Sequence, residues 1–159
     1  MIGTLEPAYA ITRFVSPDES TVADKADYHK FNVPVELNPV SEKILFLEGL
    51  KKIEPNWDGY NAKTPEEQTV DNAILFIQLL PVDRQKALFT DELNLTPYGT
   101  VTLEWKAKGV NFLSIEIGKS KIGYLSETED GENPFKESID FDNHQIPEDV
   151  LRVFEKVFV

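Results

Sequence analysis

The sequence contains no cysteine, which excludes disulfide bridges, catalytic thiolates and cysteine-ligated zinc sites. Histidine is scarce: His29 and His144 lie far apart, neither belongs to a glutamate-flanked metal motif, and we expect both at the surface. A phosphate-binding glycine-rich loop, a Gly-x-Ser-x-Gly elbow and a basic aromatic strip for RNA are also missing. We therefore predict no catalytic residue, no resident metal and no cofactor.

Long apolar runs are missing as well. No stretch approaches the roughly 20 apolar residues that a membrane-spanning helix needs. The first seven residues, Met1 to Pro7, lack the basic start and apolar run of a secretory signal. We therefore expect a cytoplasmic protein with no membrane association.

Positive charge is the third deficit, with 16 basic residues against 28 acidic ones and a formal net charge of -12. This charge repels phosphate backbones and anionic lipids, so direct nucleic-acid or membrane binding is not expected. Half of it falls in the acidic segment Glu127 to Asp142, which has seven acidic residues and one lysine. Such a charge suits a basic protein partner, or an acidic mimic of nucleic acid.

The length of 159 residues predicts a single domain, and a hydrophobic fraction of 41% is sufficient for one core. Short β-type runs at Tyr9–Val15 and Phe31–Leu37 predict an N-terminal hairpin or arm within residues 1–37. Residues 38–159 are then the core of the domain.

Three helices are predicted in this core. Asn38 and Pro39 favour a helix start, and the apolar spacing extends that helix to about Ile53. Thr64 and Glu67 match a capping box at the start of a second helix, which ends before Pro81. Pro147 begins a third helix, whose apolar stripe should pack on a sheet.

Strands are predicted at residues 100–106, 112–117 and 121–125, with a return strand at 138–141 whose inward residues are Ile139 and Phe141. A three-residue turn containing Gly109 aligns the apolar sides of the first two strands, namely Val101, Leu103 and Trp105 with Leu113, Ile115 and Ile117. The predicted fold is α+β, with an antiparallel meander of three to five strands packed by two or three helices in two layers.

Trp57-Asp58-Gly59-Tyr60 is the most distinctive short motif. Asp58 and Gly59 suit a tight turn, with Asp58 bonded to nearby backbone amides and the two aromatics seated on the core. Alternatively, Asp58 approaches Glu104 or Glu116 across the polar face of the sheet and forms a carboxylate cluster. The direction of the Asp58 side chain decides between these interpretations.

This motif, together with Pro97–Trp105 and Leu113–Ile117, resembles elements of a family of small uncharacterised bacterial proteins. Members share a Trp-Asp-Gly-Tyr element, a capped helix and a glycine-initiated strand that ends in Leu-Glu-Trp. The resemblance covers about Ser41 to Leu125, and Asn61 stands where members often carry glycine. It implies one folded unit and supplies no catalytic residue.

Two classes of function follow. The first is a non-catalytic binding or regulatory module, antitoxin- or immunity-like, that engages a basic protein through the acidic segment or the polar sheet face. The alternatives are a metal-dependent hydrolase that uses Asp58, Glu104 and Glu116, and an acidic nucleic-acid mimic. The candidate binding residues are Trp57, Asp58, Tyr60, Glu104, Glu116, Glu129 and Asp130.

Overall fold

A computed structural model describes residues 39–142 and 144–158 of the chain. The described residues belong to one compact unit, Glu36–Val159. The predicted N-terminal arm with its two strands, and His29, lie outside the described residues.

The centre of the fold is an antiparallel sheet of five described strands in sequential order. The strands are β1 (Leu93–Leu95), β2 (Val101–Lys106), β3 (Phe112–Ile117), β4 (Lys121–Glu127) and β5 (Phe135–Asp140). This confirms the predicted α+β meander. Strand β1 was not predicted, and the predicted return strand began three residues late, because β5 begins at Phe135.

The β2–β3 hairpin has the predicted register. Trp105 lies opposite Leu113 and Leu103 opposite Ile115, so the apolar residues of both strands share one face. The Ala107 N–H donates to the Asn111 carbonyl over 2.9 Å, which closes a turn of three residues. Gly109 in that turn has φ 76°, a left-handed conformation that glycine adopts without a Cβ penalty.

Four α-helices lie in the described part of the chain: α1 (Pro39–Leu50), α2 (Glu67–Leu79), α3 (Val82–Ala87) and α4 (Glu148–Val157). Helix α1 contacts β1, α2 contacts β2 and β3, and α4 contacts β3 and β4. Helix α1 ends before the predicted Ile53, and the short α3 was not predicted. No described helix is both long and apolar enough to cross a membrane.

The predicted capping box of the second helix is wrong. Helix α2 begins at Glu67, and the carbonyl of Glu66 accepts the first helical N–H, from Thr69, over 2.9 Å. Lys63 is instead bonded to a distant turn, since its N–H donates to the Pro97 carbonyl over 2.9 Å. This pairing holds the chain extended past Thr64, so the helix starts two residues later.

The core lies between the helices and one face of the sheet. Trp105, Leu103, Ile115 and Ile117 contribute from the sheet, and all are fully buried. The inward directions predicted for Ile139 and Phe141 are confirmed, since both pack on this core. Side chains of the opposite sheet face are half-buried or exposed, so the described elements form two layers.

Candidate binding surface on the open face of the sheet

Asp58 fixes the loop between α1 and α2. Its Oδ1 atom accepts the N–H groups of Tyr60 over 2.7 Å and of Ala62 over 3.1 Å. The loop is closed further by the Asn56 N–H, which donates to the Ala62 carbonyl over 2.8 Å. Asp58 therefore has the turn-stapling role that was one of its two predicted roles.

The predicted seating of Trp57 and Tyr60 on the core is wrong. Tyr60 is 91% exposed and Trp57 is 38% exposed, whereas the small Ala62 is the buried residue of the loop. The reason is the backbone: Gly59 and Asn61 have φ of 77° and 70°, and two left-handed residues reverse the chain between Asp58 and Ala62. Asparagine tolerates this conformation better than most residues, as glycine does.

The α1–α2 loop, which contains Trp57–Tyr60, and the β1–β2 turn, which contains Pro97, lie side by side. The Trp57 Nε1 atom donates to the Lys63 carbonyl over 3.3 Å, and Lys63 is itself bonded to Pro97 in the β1–β2 turn. Gly99 in that turn has φ 84°, and a Cβ atom there would lie 2.7 Å from the Thr64 carbonyl oxygen. Trp57, Tyr60 and the 79% exposed Tyr98 thus belong to adjacent loops.

Glu104 and Glu116 project from the sheet face opposite the helices, which we call the open face. Cross-strand partners form rows there: one row is Glu104, Ser114, Leu125 and Phe135, and the next is Thr102, Glu116 and Gly123. Glu104 and Glu116 are thus diagonal neighbours on adjacent strands. Leu125 and Phe135 lie directly opposite each other and are 49% and 69% exposed.

A groove runs along β4 on the open face. It consists of two cavities of about 290 Å³ each, which share Glu116, Gly123 and Glu137. Gly123 forms the floor because it lacks a side chain, and a Cβ atom there would lie 3.1 Å from the Lys136 carbonyl oxygen. A β-bulge between β4 and β5, with Ser138 at φ 58°, brings that oxygen and Glu137 alongside Gly123.

The Glu116 carboxylate is held in place by two threonines. The Thr100 hydroxyl donates to Glu116 Oε1 over 2.5 Å, and the hydroxyls of Thr96 and Thr100 are 2.6 Å apart. Because the Thr100 hydroxyl proton is donated to Glu116, the Thr96 hydroxyl is the donor in the bond between the two threonines. The β1–β2 turn therefore restricts the orientation of a carboxylate on the open face.

The open face has an excess of negative charge. It carries five carboxylates and two lysines, namely Glu104, Glu116, Glu127, Glu137 and Asp140 with Lys106 and Lys121. Lys121 pairs with Asp140, and Lys106 Nζ lies 3.7 Å from Glu92. Within the described chain, Glu104, Glu127 and Glu137 have no ion pair, so their charge stays available to a partner.

Glu129 and Asp130 lie in the β4–β5 turn, away from the groove. Asp130 Oδ1 accepts the Thr128 hydroxyl, and also the Glu132 N–H over 3.0 Å. The Thr128 hydroxyl and the Glu132 N–H lower the pKa of the Asp130 carboxyl. The Glu129 N–H donates to Asn111 Oδ1 over 2.9 Å. These bonds give Asp130 and the Glu129 backbone a role in shaping the turn.

We expect the Thr128→Val substitution to raise the pKa of Asp130 toward its ordinary value of 3.8, because the largest cause of the depression is lost. The depressed pKa means that the Asp130 contribution to stability is present above this value and is lost as pH falls through the folded pKa. NMR titration of the carboxyl carbons measures the change. An unchanged Asp130 pKa in the variant would contradict this account of the turn.

The predicted trio of Asp58, Glu104 and Glu116 is divided between two regions. Asp58 lies in the α1–α2 loop, whereas Glu104 and Glu116 share the open face. Across residues 39–142 and 144–158, no group of three or more His, Asp or Glu side chains could hold a metal ion. His144 is exposed, as predicted.

Four residues that line the groove were not among the individual candidate binding residues predicted from the sequence: Gly123, Leu125, Phe135 and Glu137. Leu125 belongs to a predicted strand in which Ile122 and Tyr124 face the core. Alternation therefore places the apolar Leu125 on the polar face, and this mismatch is the signal that could have identified it. Phe135 and Glu137 were missed because the return strand was started at Ser138. With β5 extended to Phe135, strand alternation places both residues on the face opposite Lys136.

The fold and the open face together define an α+β protein with a five-stranded antiparallel sheet, one face of which is acidic and is not covered by any element within residues 39–142 and 144–158. Comparisons with protein-family models, curated proteins and solved structures find no match to this chain. The resemblance of its motifs to the small bacterial family therefore stays a prediction.

Proposed function

We propose that this chain is a non-catalytic binding module that engages a basic protein partner through the open face of its sheet. The observation that carries the proposal is the composition of that face. Three carboxylates that have no ion pair among the described residues, Glu104, Glu127 and Glu137, surround the exposed apolar pair Leu125 and Phe135. A partner that covers this face buries the apolar pair and neutralises the carboxylates around it.

The apolar and the acidic side chains of the open face contribute to binding in different ways. Burial of Leu125 and Phe135 supplies affinity, because apolar surface leaves water. The carboxylates supply steering, since complementary charge speeds encounter and discriminates against acidic partners. Neutralisation of a basic toxin or nuclease, as in an antitoxin or immunity protein, is the concrete form of this function that the charge favours.

The test begins with affinity capture from the cells that make the protein, at low ionic strength. Each captured protein is then purified, and the rate constant of its association is measured with the native chain and with the triple variant E104Q/E116Q/E137Q. We expect the variant to associate more slowly by about tenfold or more, because three of the steering charges are removed. The difference between the two proteins should shrink as salt is added, because exposed charges are screened.

The matched control is E54Q/E67Q/E155Q, which removes the same charge from exposed positions outside the sheet. It should associate at a rate much closer to that of the native chain than the open-face variant does. Equal slowing in the two triple variants would mean that only net charge matters, and would contradict an open-face site.

A further inference from the structure

The groove on the open face has the dimensions of a short extended peptide. From Leu125 to Lys121 it spans roughly 13 Å, at about 3.3 Å per strand residue. It follows β4 between β3 and β5, so a segment that lies in it is parallel to the strands. A helix, which is about 10–12 Å wide with its side chains, is wider than the roughly 9.6 Å between β3 and β5, which lie two strand spacings apart.

Two subsites lie along this groove. At one end, Leu125 and Phe135 are paired across β4 and β5 and present an apolar surface. Two residues along β4, the floor drops to Gly123, which is flanked by Glu116 on β3 and Glu137 on β5. Leu125 and Gly123 are two residues apart on the same face, a separation of about 6.6 Å.

The Gly123 subsite matches a cationic side chain. Glu116 approaches from one side and is oriented by Thr100, and Glu137, which has no ion pair within the part of the chain that the structure describes, approaches from the other. The space above Gly123 lets a long side chain reach between the two carboxylates. Arginine fits best because its planar group has five N–H donors, enough to bond carboxylates on both sides.

We propose that the open face binds an extended segment of its partner in which an apolar side chain and an arginine are two residues apart. The apolar side chain packs on Leu125 and Phe135, and the guanidinium lies over Gly123 between Glu116 and Glu137. Successive side chains of an extended chain point to opposite sides, so residues two apart both face the groove. The inference rests on the proposed function and specifies what the partner presents.

The probe is a capped five-residue peptide, Ser-Leu-Ser-Arg-Ser, together with its reversed sequence, since the geometry admits either direction. Titration into isotopically labelled protein is followed by backbone NMR. We expect the largest shifts at Gly123, Leu125, Phe135 and Glu137 for at least one direction. Replacement of arginine by citrulline, which is neutral and nearly isosteric, should weaken binding by about fivefold or more, because charge-assisted bonds are lost.

Two controls separate the groove from general attraction to an acidic protein. The peptide Ser-Leu-Arg-Ser-Ser has the same composition but places leucine and arginine on opposite sides of an extended chain, so it should bind at least about threefold more weakly. The protein variant E137Q should lose affinity by a similar factor, whereas E54Q should not. Because Glu137 is exposed, its substitution leaves the core intact.

The outcomes also distinguish this inference from the proposed function. Equal binding of the two spacings, or shifts spread outside the groove, would overturn the peptide mode while leaving open-face capture of a protein in place. If neither peptide changes the chemical shifts of open-face residues at about 10 mM, the peptide mode is likewise overturned and open-face capture of a protein stays in place. If the peptide binds in the groove but every captured partner associates equally fast with the native chain and with the open-face triple variant, the two subsites are supported and the proposed function is contradicted.

Discussion

Replacement of Trp105 by alanine is expected to lower the free energy of unfolding by about 3–5 kcal/mol, the usual cost of removing a large buried aromatic side chain. Trp105 is fully buried on the core face of β2. Its ring meets that of Phe154 edge-on, with 4.9 Å between centroids, and its Nε1 atom donates to the Arg84 carbonyl over 3.0 Å. The residue thus joins the sheet to α3 and α4.

Urea unfolding followed by far-ultraviolet circular dichroism measures this effect. An unchanged slope of the unfolding free energy against urea concentration serves as the check on two-state behaviour. The matched control is Trp105→Phe, which keeps an aromatic ring but removes the N–H group. Trp105→Phe should lower the free energy of unfolding less than Trp105→Ala does, but more than a surface substitution does, because the Arg84 carbonyl loses its hydrogen-bond donor. A loss below about 1 kcal/mol for Trp105→Ala would contradict the described core.

Gly99→Ala is expected to destabilise the protein more than Gly59→Ala, although both glycines have a left-handed backbone. Gly99 has φ 84°, which alone costs an L-residue about 1–2 kcal/mol. The added Cβ atom would also lie 2.7 Å from the Thr64 carbonyl oxygen, a backbone atom that cannot rotate away. Relief of such an overlap costs roughly a further 1–3 kcal/mol.

The chain offers a matched control at Gly59, which has φ 77° but no atom of the described residues within 4 Å of its would-be Cβ atom. Gly59→Ala should therefore show only the conformational cost, and the difference between the two variants isolates the overlap with Thr64. Equal losses of stability in urea unfolding would show that the α1–α2 loop and the β1–β2 turn are not in contact.

Gly99 also connects the stability of the fold to the proposed binding surface. Its turn positions Thr96 and Thr100, and Thr100 donates to Glu116 in the groove. The motif around Pro97–Trp105 therefore does more than begin a strand, since it orients one of the two carboxylates of the cationic subsite. This gives the motif a physical role that its resemblance to other sequences did not supply.

Sheet features were the best predicted from the sequence. The alternation in β2 and β3, with one glycine in the turn, was sufficient to predict the register that places Trp105 opposite Leu113. A shift by one residue would turn every apolar side chain of a strand to water, so a half-buried sheet specifies its register locally. The stapling role of Asp58 was also among the predicted alternatives, because such bonds join residues two to four apart.

Features that depend on distant residues were predicted poorly. The capping box at Thr64 was outweighed by pairing between Lys63 and Pro97, and the seating of Trp57 and Tyr60 was reversed by the left-handed backbone of their loop. Residues of the groove were missed for a related reason. Glu116 and Glu137 flank Gly123 because β3 and β5 pair with β4 on opposite sides, with a β-bulge between β4 and β5 that alternation does not predict.

The sequence by itself determined the α+β meander, the register of its central hairpin and an acidic protein with one apolar and one polar sheet face. These properties follow from residue alternation, turn chemistry and charge, which act over a few residues. Only the tertiary structure decided that the Trp57–Tyr60 element is exposed, which of its two predicted roles Asp58 takes, and that Leu125, Phe135, Glu116 and Glu137 form one groove. Those arrangements depend on how loops and neighbouring strands pack, including the pairing of Lys63 with Pro97 and the β-bulge beside Gly123, which residue alternation does not specify.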